Sequence, residues 1–195
     1  MKFESKEDMM GLCRVIHLNA KEKGFYDPAP KREEVAALFH SEISEAVEEA
    51  RNEAPPVYYL YCNGAKLSLA EAVQIMDISK EKPEGELIEL ADLVIRITDW
   101  AFFLGTYVLS GWKSFADMYA RSRKEAEKLK WNDEAKTPLE FYNVLHRLVA
   151  LDRSYGTIIS RIANYCAIKG WDLEEAIVLK MNYNVTRPYK HGKRI

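Results

Sequence analysis

Cysteine is scarce in this 195-residue chain: Cys13, Cys62 and Cys166 are odd in number, far apart and without C-x-x-C spacing. That excludes a disulfide framework and a thiolate metal site, and all three are expected to be buried as small apolar side chains. Glycine and proline are few, at 9 and 7 residues, which argues against a turn-rich β fold. Uncharged runs such as Trp100 to Trp112 fall short of the roughly 20 apolar residues a membrane-spanning helix needs. The opening run from Met1 to Asp8 is too charged for the apolar core of a signal peptide, so a cytoplasmic location is expected. A formal net charge of -2 gives no general reason to expect nucleic acid or an anionic membrane as partner. No Walker A, G-x-G-x-x-G, G-x-S-x-G or H-E-x-x-H pattern occurs. The Glu-x-x-His of di-iron bundles is missing too, because Arg14, Ala37, Asn143 and Pro188 stand three residues before His17, His40, His146 and His191.

What remains is a helical chain, with 48% hydrophobic and 30% charged residues, sized for a single all-α domain over 1–195. Helices are expected over 6–23, 32–52, 68–78, 86–104 and 113–130. One long helix or two shorter ones cover 138–169, and a last helix runs from an Asp172 cap to about Asn184. Ser68 and Glu71 have capping-box spacing. The aromatic run 57–62 suits either a strand fragment or an ordered loop. A faint echo links Arg96–Ala101 to Arg161–Cys166, but the carboxylates are not repeated, since Ser154 and Thr157 stand where Glu89 and Asp92 would be.

The acidic residues are more informative. Residues three apart share a helix face, so Glu42 and Glu45 can address one point, and so can Glu89 and Asp92. Glu42 falls inside the apolar arc of Val35, Leu38, Phe39, Ile43 and Ala46, where an ionised carboxylate is costly unless paired or metal-bound. The 86–104 helix is apolar on nearly every side, leaving Glu89, Asp92, Arg96 and Asp99 as a narrow charged stripe. Two such helices face to face would offer four hard oxygen ligands, suited to Mg²⁺ or Mn²⁺. Periodicity alone is equally satisfied by solvated acidic faces, with Glu45, Glu48 and Glu49 pointing to water.

Four segments together resemble a known family: Asn19-Ala20-Lys21-Glu22-Lys23-Gly24-Phe25; His40-Ser41-Glu42-Ile43-Ser44-Glu45-Ala46; Lys82-Pro83-Glu84-Gly85 with Glu89-Leu90-Ala91-Asp92; and the tail Lys180 to Lys193 with Tyr183-Asn184-x-x-Arg187-Pro188-Tyr189-Lys190-His191-Gly192-Lys193. The family is that of the MazG-like all-α nucleoside triphosphate pyrophosphatases, related to dimeric dUTPases and phosphoribosyl-ATP pyrophosphatase. The resemblance implies an oligomeric helical bundle, a dimer or tetramer, in which Glu42, Glu45, Glu89 and Asp92 hold Mg²⁺ (or Mn²⁺). It implies hydrolysis of a nucleoside triphosphate between the α and β phosphates, giving the monophosphate and pyrophosphate, with Glu45 as the candidate base. It places Asn19 and Lys23 near the substrate, and Lys180, Asn184, Arg187 and Lys190 on phosphate or base. Arg96 and His191 complete the candidate substrate-binding set, His191 being open between a phosphate contact and solvent. The chain departs from short members of the family by a helical insertion at about 105–165. The alternative function is a non-catalytic nucleotide sensor or helical scaffold. An alternative for the tail is a disordered basic terminus; a nucleic-acid contact lacks a basic face with interleaved aromatics elsewhere.

Overall fold

Local sequence signals explain where most helices start. The computed structural model describes residues 2–128 and 137–192. Ser5 with Asp8, Ser68 with Glu71, and Thr137 with Glu140 form reciprocal capping boxes, each satisfying two backbone N–H groups that the first turn leaves free. The Asp172 side chain caps the last long helix by accepting from Glu175 N. The resulting elements are α1 (Lys6–Glu22), α2 (Arg32–Arg51), a two-stranded hairpin β1 (Tyr59–Leu60) and β2 (Lys66–Leu67), α3 (Leu69–Ile75) and α4 (Glu86–Phe103). A 3-10 turn (Val108–Gly111), α5 (Phe115–Lys128), α6 (Pro138–Ala150), α7 (Tyr155–Lys169), α8 (Leu173–Thr186) and a second 3-10 turn (Tyr189–Gly192) follow. This is the expected all-α class, and no helix among the described residues is long and apolar enough to cross a membrane.

The central element is α4. Leu87, Ile88, Leu90, Ala91, Leu93, Val94 and Ile97 are all buried on it, beneath α1, α2, α7 and α8. Each large apolar side chain removed from water contributes about 1.5–3 kcal/mol, enough in sum to offset the cost of carrying Glu86, Glu89 and Asp92 inside as well. Against α4, both α2 and α7 run antiparallel. In α2, Glu42 meets Arg96 while Glu49 lies at the Tyr58–Glu84 end. In α7, Tyr155 OH accepts from Trp100 Nε1 at 3.0 Å while Tyr165 OH donates to Glu86 Oε1 at 2.8 Å. Helices α1 and α8 run in the same direction: Phe3 N bonds Glu174 near their starts, and Lys23 Nζ donates to Val185 O at 2.6 Å near their ends.

Several expectations are resolved or corrected here. The 138–169 stretch is two helices, broken at 151–154 where Asp152 adopts φ 51° and pairs with Arg32. The helix expected over 68–78 is shorter, because Asp77 Oδ1 captures the amide and hydroxyl of Ser79 and turns the chain. Residues 59–60 are a strand, paired Tyr59 with Leu67 and Leu60 with Lys66. Cys13 and Cys166 are buried, but Cys62 is exposed at the hairpin tip, contrary to expectation. Residues 129–130 of the helix expected over 113–130 lie outside the described residues. In the insertion, α6 packs on α2, with His40 and His146 rings stacked at 5.1 Å, and α7 packs on α4 and α5. Helices α6 and α7 converge on one buried carboxylate, Glu86, whose Oε1 accepts from Tyr142 OH at 2.5 Å as well as from Tyr165 OH.

Gly85 fixes where α4 begins. It sits at φ 117°, a region L side chains avoid, and a Cβ there would lie 2.6 Å from both Pro55 O and Pro56 O. Gly64 has φ 79° but open space around it. Gly85→Ala is expected to cost at least about 2 kcal/mol in urea unfolding, against about 1 kcal/mol for Gly64→Ala, where only backbone strain acts. Equal costs would remove the packing argument.

Candidate metal and nucleotide site

The charged stripe of α4 faces a polar seam bordered by α2 and α8. Glu42, Glu89 and Asp92 are each less than a tenth exposed, and one carboxylate oxygen from each lies within 4.8 Å of the other two. Two buried or half-buried cations enter the same seam. Arg96 Nε stands 2.6 Å from Glu42 Oε1, at ion-pair distance but without hydrogen-bond alignment. Lys180 Nζ, from α8, lies 3.4 Å from Asp92 Oδ2 and 3.6 Å from Glu89 Oε2. With all five groups ionised, three carboxylates against two cations leave one net negative charge.

Burial and charge pull the acids apart. Burial and the neighbouring Asp92 charge push Glu42 up to about 8, against the pull of Arg96. Burial raises Glu89 to about 7, partly countered by Lys180. Burial acts to raise Asp92 also, but Lys180 and Arg96 outweigh it and hold the group below the usual carboxylate range. One proton retained between the two glutamates cancels the single net negative charge that the seam otherwise keeps out of water.

The donor set fits a hard divalent cation. It offers three carboxylates, and two buried oxygens in or beside the seam, Glu89 Oε2 and Asn184 Oδ1, have no hydrogen-bond partner among the described residues. Asn184 is one turn beyond Lys180 on α8 and is equally buried.

The other residues expected at the site fall into two groups. Glu45 is exposed on α2, one turn from Glu42, and its Oε1 accepts from Ser41 Oγ at 3.1 Å, outside the three-carboxylate group. The remaining cations cluster at the far end of α8 and are held by backbone. Lys23 Nζ donates to Val185 O and Arg187 O, Lys190 N to Lys23 O at 2.7 Å, and Lys190 Nζ to Asp27 O at 2.9 Å. The Tyr189 ring covers Gly24 so closely that a Cβ there would meet it at 2.1 Å. The tail up to residue 192 is thus folded against the loop after α1. Arg187 lies over the Tyr183 ring at 5.7 Å, and Asn19 is half-buried on α1. The side chain of His191 lies outside the described residues.

Three further groups had no signature in the pattern of motifs. Glu49, seven residues after Glu42 on the same face of α2, is half-buried: its Oε1 accepts from Tyr58 OH at 3.1 Å and its Oε2 is buried with no hydrogen-bond partner among the described residues. The i, i+7 spacing was the available signal. His17 Nδ1 meets Asp99 Oδ1 at 2.7 Å, with the His17 ring stacked on Phe102 at 5.0 Å. Burial raises Asp99, opposed by hydrogen bonds from His17 and Tyr26. The third is the Glu86 clamp.

Comparison of the chain with protein-family models, with curated proteins and with solved structures finds no match. Fold and site therefore define a class only, an all-α bundle with a buried carboxylate centre and two internal cations.

A carboxyl whose folded pKa is raised stabilises the fold below its unfolded value, about 4.3 for Glu, and loses that stability as pH rises through the folded value. For Glu89 and Glu42 the loss runs up through about 7 and about 8. In chelator, Glu42→Gln is therefore expected to gain melting temperature over the native protein as pH is raised from 6 to 9. A difference that stays constant across that range would show that Glu42 does not hold a proton in the fold.

Proposed function

We propose that this protein is a magnesium-dependent nucleoside triphosphate pyrophosphohydrolase, acting on the cytoplasmic nucleotide pool as a homo-oligomer. The observation that carries the reading is the convergence of Glu42, Glu89 and Asp92 from two helices on one point inside the bundle. These are three of the four carboxylates that the family resemblance assigns to the metal. The fourth, Glu45, is on the same face of α2 and accessible to solvent, the position a proton acceptor needs.

Glu42, Glu89 and Asp92 would hold Mg²⁺, with Glu45 beside them. Bound there, Mg²⁺ supplies charge neutralisation for the triphosphate and a lowered pKa for the attacking water. Arg96 and Lys180 offer donors to phosphate oxygens, Arg96 with the planar fork suited to them. Water attacks the α-phosphorus, the bond from that phosphorus to the α–β bridging oxygen breaks, and pyrophosphate leaves. Glu45 accepts the proton of the water. Lys23, Lys190 and Tyr189 hold the loop after α1 against the end of α8, shaping the end of the seam beyond Asn184 where sugar and base would lie. Exposed Leu60, Tyr61, Val73 and Ile75 around the hairpin and α3 support self-association through that arm.

Incubation with Mg²⁺ and a panel of nucleoside triphosphates is expected to yield monophosphate and pyrophosphate. Glu42→Gln and Asp92→Asn should each lower the rate by about 100-fold or more, as loss of a transition-state charge contact does. Release of orthophosphate and diphosphate would overturn the assigned bond. Nucleotide-dependent thermal stabilisation without product would favour a sensor instead. Gly24→Ala, which forces Tyr189 off the loop, is expected to raise KM several-fold while Mn²⁺ affinity stays unchanged. An equal loss of both would show that the tail supports the whole bundle instead of the nucleotide end.

A further inference from the structure

Lys180 occupies an unusual position. It is 2% exposed, and its side chain runs from α8 into the gap between two carboxylates on neighbouring turns of α4. At 3.4 and 3.6 Å, both contacts of the ammonium are longer than an ordinary N–H···O bond. Glu89 Oε2 accordingly has no hydrogen-bond partner among the described residues. The ammonium is placed as a point charge shared by two acids, the way a coordinated ion is placed, and lacks the short, directed contact of a committed ion pair. Arg96 stands closer to its acid, with Nε 2.6 Å from Glu42 Oε1.

Glu89 and Asp92 also belong to the three-carboxylate group that can hold a metal ion. An ammonium and a divalent cation at one pair of carboxylates repel each other strongly in a water-poor seam. Both cannot share these oxygens, and Lys180, on a flexible four-carbon stem, is the one able to move.

We infer that Lys180 is an internal place-holder cation: it holds the Glu89–Asp92 pair together in the metal-free protein, and the arriving divalent ion displaces its ammonium toward the incoming triphosphate. The destination of the displaced group rests on the proposed pyrophosphohydrolase reading; the displacement itself rests on the carboxylate geometry alone. Two consequences follow. The bundle keeps its fold under chelation, unlike small metal-dependent domains that unfold without their ion. Metal and nucleotide bind cooperatively, because phosphate oxygens give the expelled ammonium a partner and each ligand lowers the cost of the other.

The test measures binding, without turnover. Free Mn²⁺ is followed by electron paramagnetic resonance at pH 8.5, for the native protein and Lys180→Met. The variant is expected to bind Mn²⁺ about tenfold more tightly, since a competing charge has gone. Its melting temperature in chelator should fall, and Mn²⁺ should restore it. Addition of a non-hydrolysable α,β-methylene triphosphate should tighten Mn²⁺ binding to the native protein, and much less so to the variant. A folded Lys180→Met that binds Mn²⁺ no better than the native protein overturns the inference.

The native chain supplies an arm that needs no variant. With lysine side chains labelled with ¹⁵N, the buried Nζ resonance is expected to shift and gain solvent exchange as Mg²⁺ saturates the site. An unchanged resonance at saturation overturns the displacement and leaves the pyrophosphohydrolase reading intact. A Lys180 that moves while no triphosphate is hydrolysed supports the displacement and sinks that reading. Failure of either ion to bind removes both.

Discussion

The attraction of two internal cations for three buried acids is the constraint under which the rest of this bundle is arranged. Glu42, Glu89 and Asp92 could not stay inside a helix interface unaided. Arg96 and Lys180 offset two of the three acid charges, and one proton retained between the glutamates offsets the third. The hydrogen bonding is less complete, since Glu89 Oε2 has no partner among the described residues. It must be backed by apolar burial elsewhere on the same helix, which explains why α4 is sheathed on nearly every side. Core packing and the buried charge cluster thus draw on one element: the residues that make α4 the core are interleaved with Glu89, Asp92 and Arg96.

The helical class and the double character of α4 were legible in the sequence because both are local. A stripe of four charges on an otherwise apolar helix states that it is surrounded and that something polar meets it. The capping-box spacing of Ser68 and Glu71 announced a helix start in the same way. The depth of Glu42 could be read from its place within an apolar arc. What periodicity could not decide was whether the acidic faces meet water or each other; the structure brings Glu42, Glu89 and Asp92 together and leaves Glu45 at the surface.

The illegible parts depend on partners remote in the chain. Glu86 looked like one more first-turn acid, yet its oxygen is held by phenols 56 and 79 residues away. Nothing near Glu86 could reveal that the insertion is anchored there. The break at 151–154 lacks proline and glycine, and arises where Asp152 turns back to Arg32. Cys62 was assigned inward by the habit of its residue type, whereas the hairpin Tyr59–Leu67 carries it out to a tip. The resemblance alone put Lys23 and Lys190 beside a substrate, and in the fold both ammonium groups donate to backbone carbonyls contributed by remote segments.

The chain leaves the bundle after Tyr58 and returns at Glu84, and the two residues are stitched by reciprocal backbone bonds of 2.9 Å in each direction. The segment between them is held by that seam and by the buried Tyr59 ring, so lengthening or trimming the hairpin tip and α3 need not pull on the first turn of α4. Variation in that appendage can therefore alter what the protein touches while the carboxylates keep their spacing, giving the molecule a face free to drift beside a centre that is not.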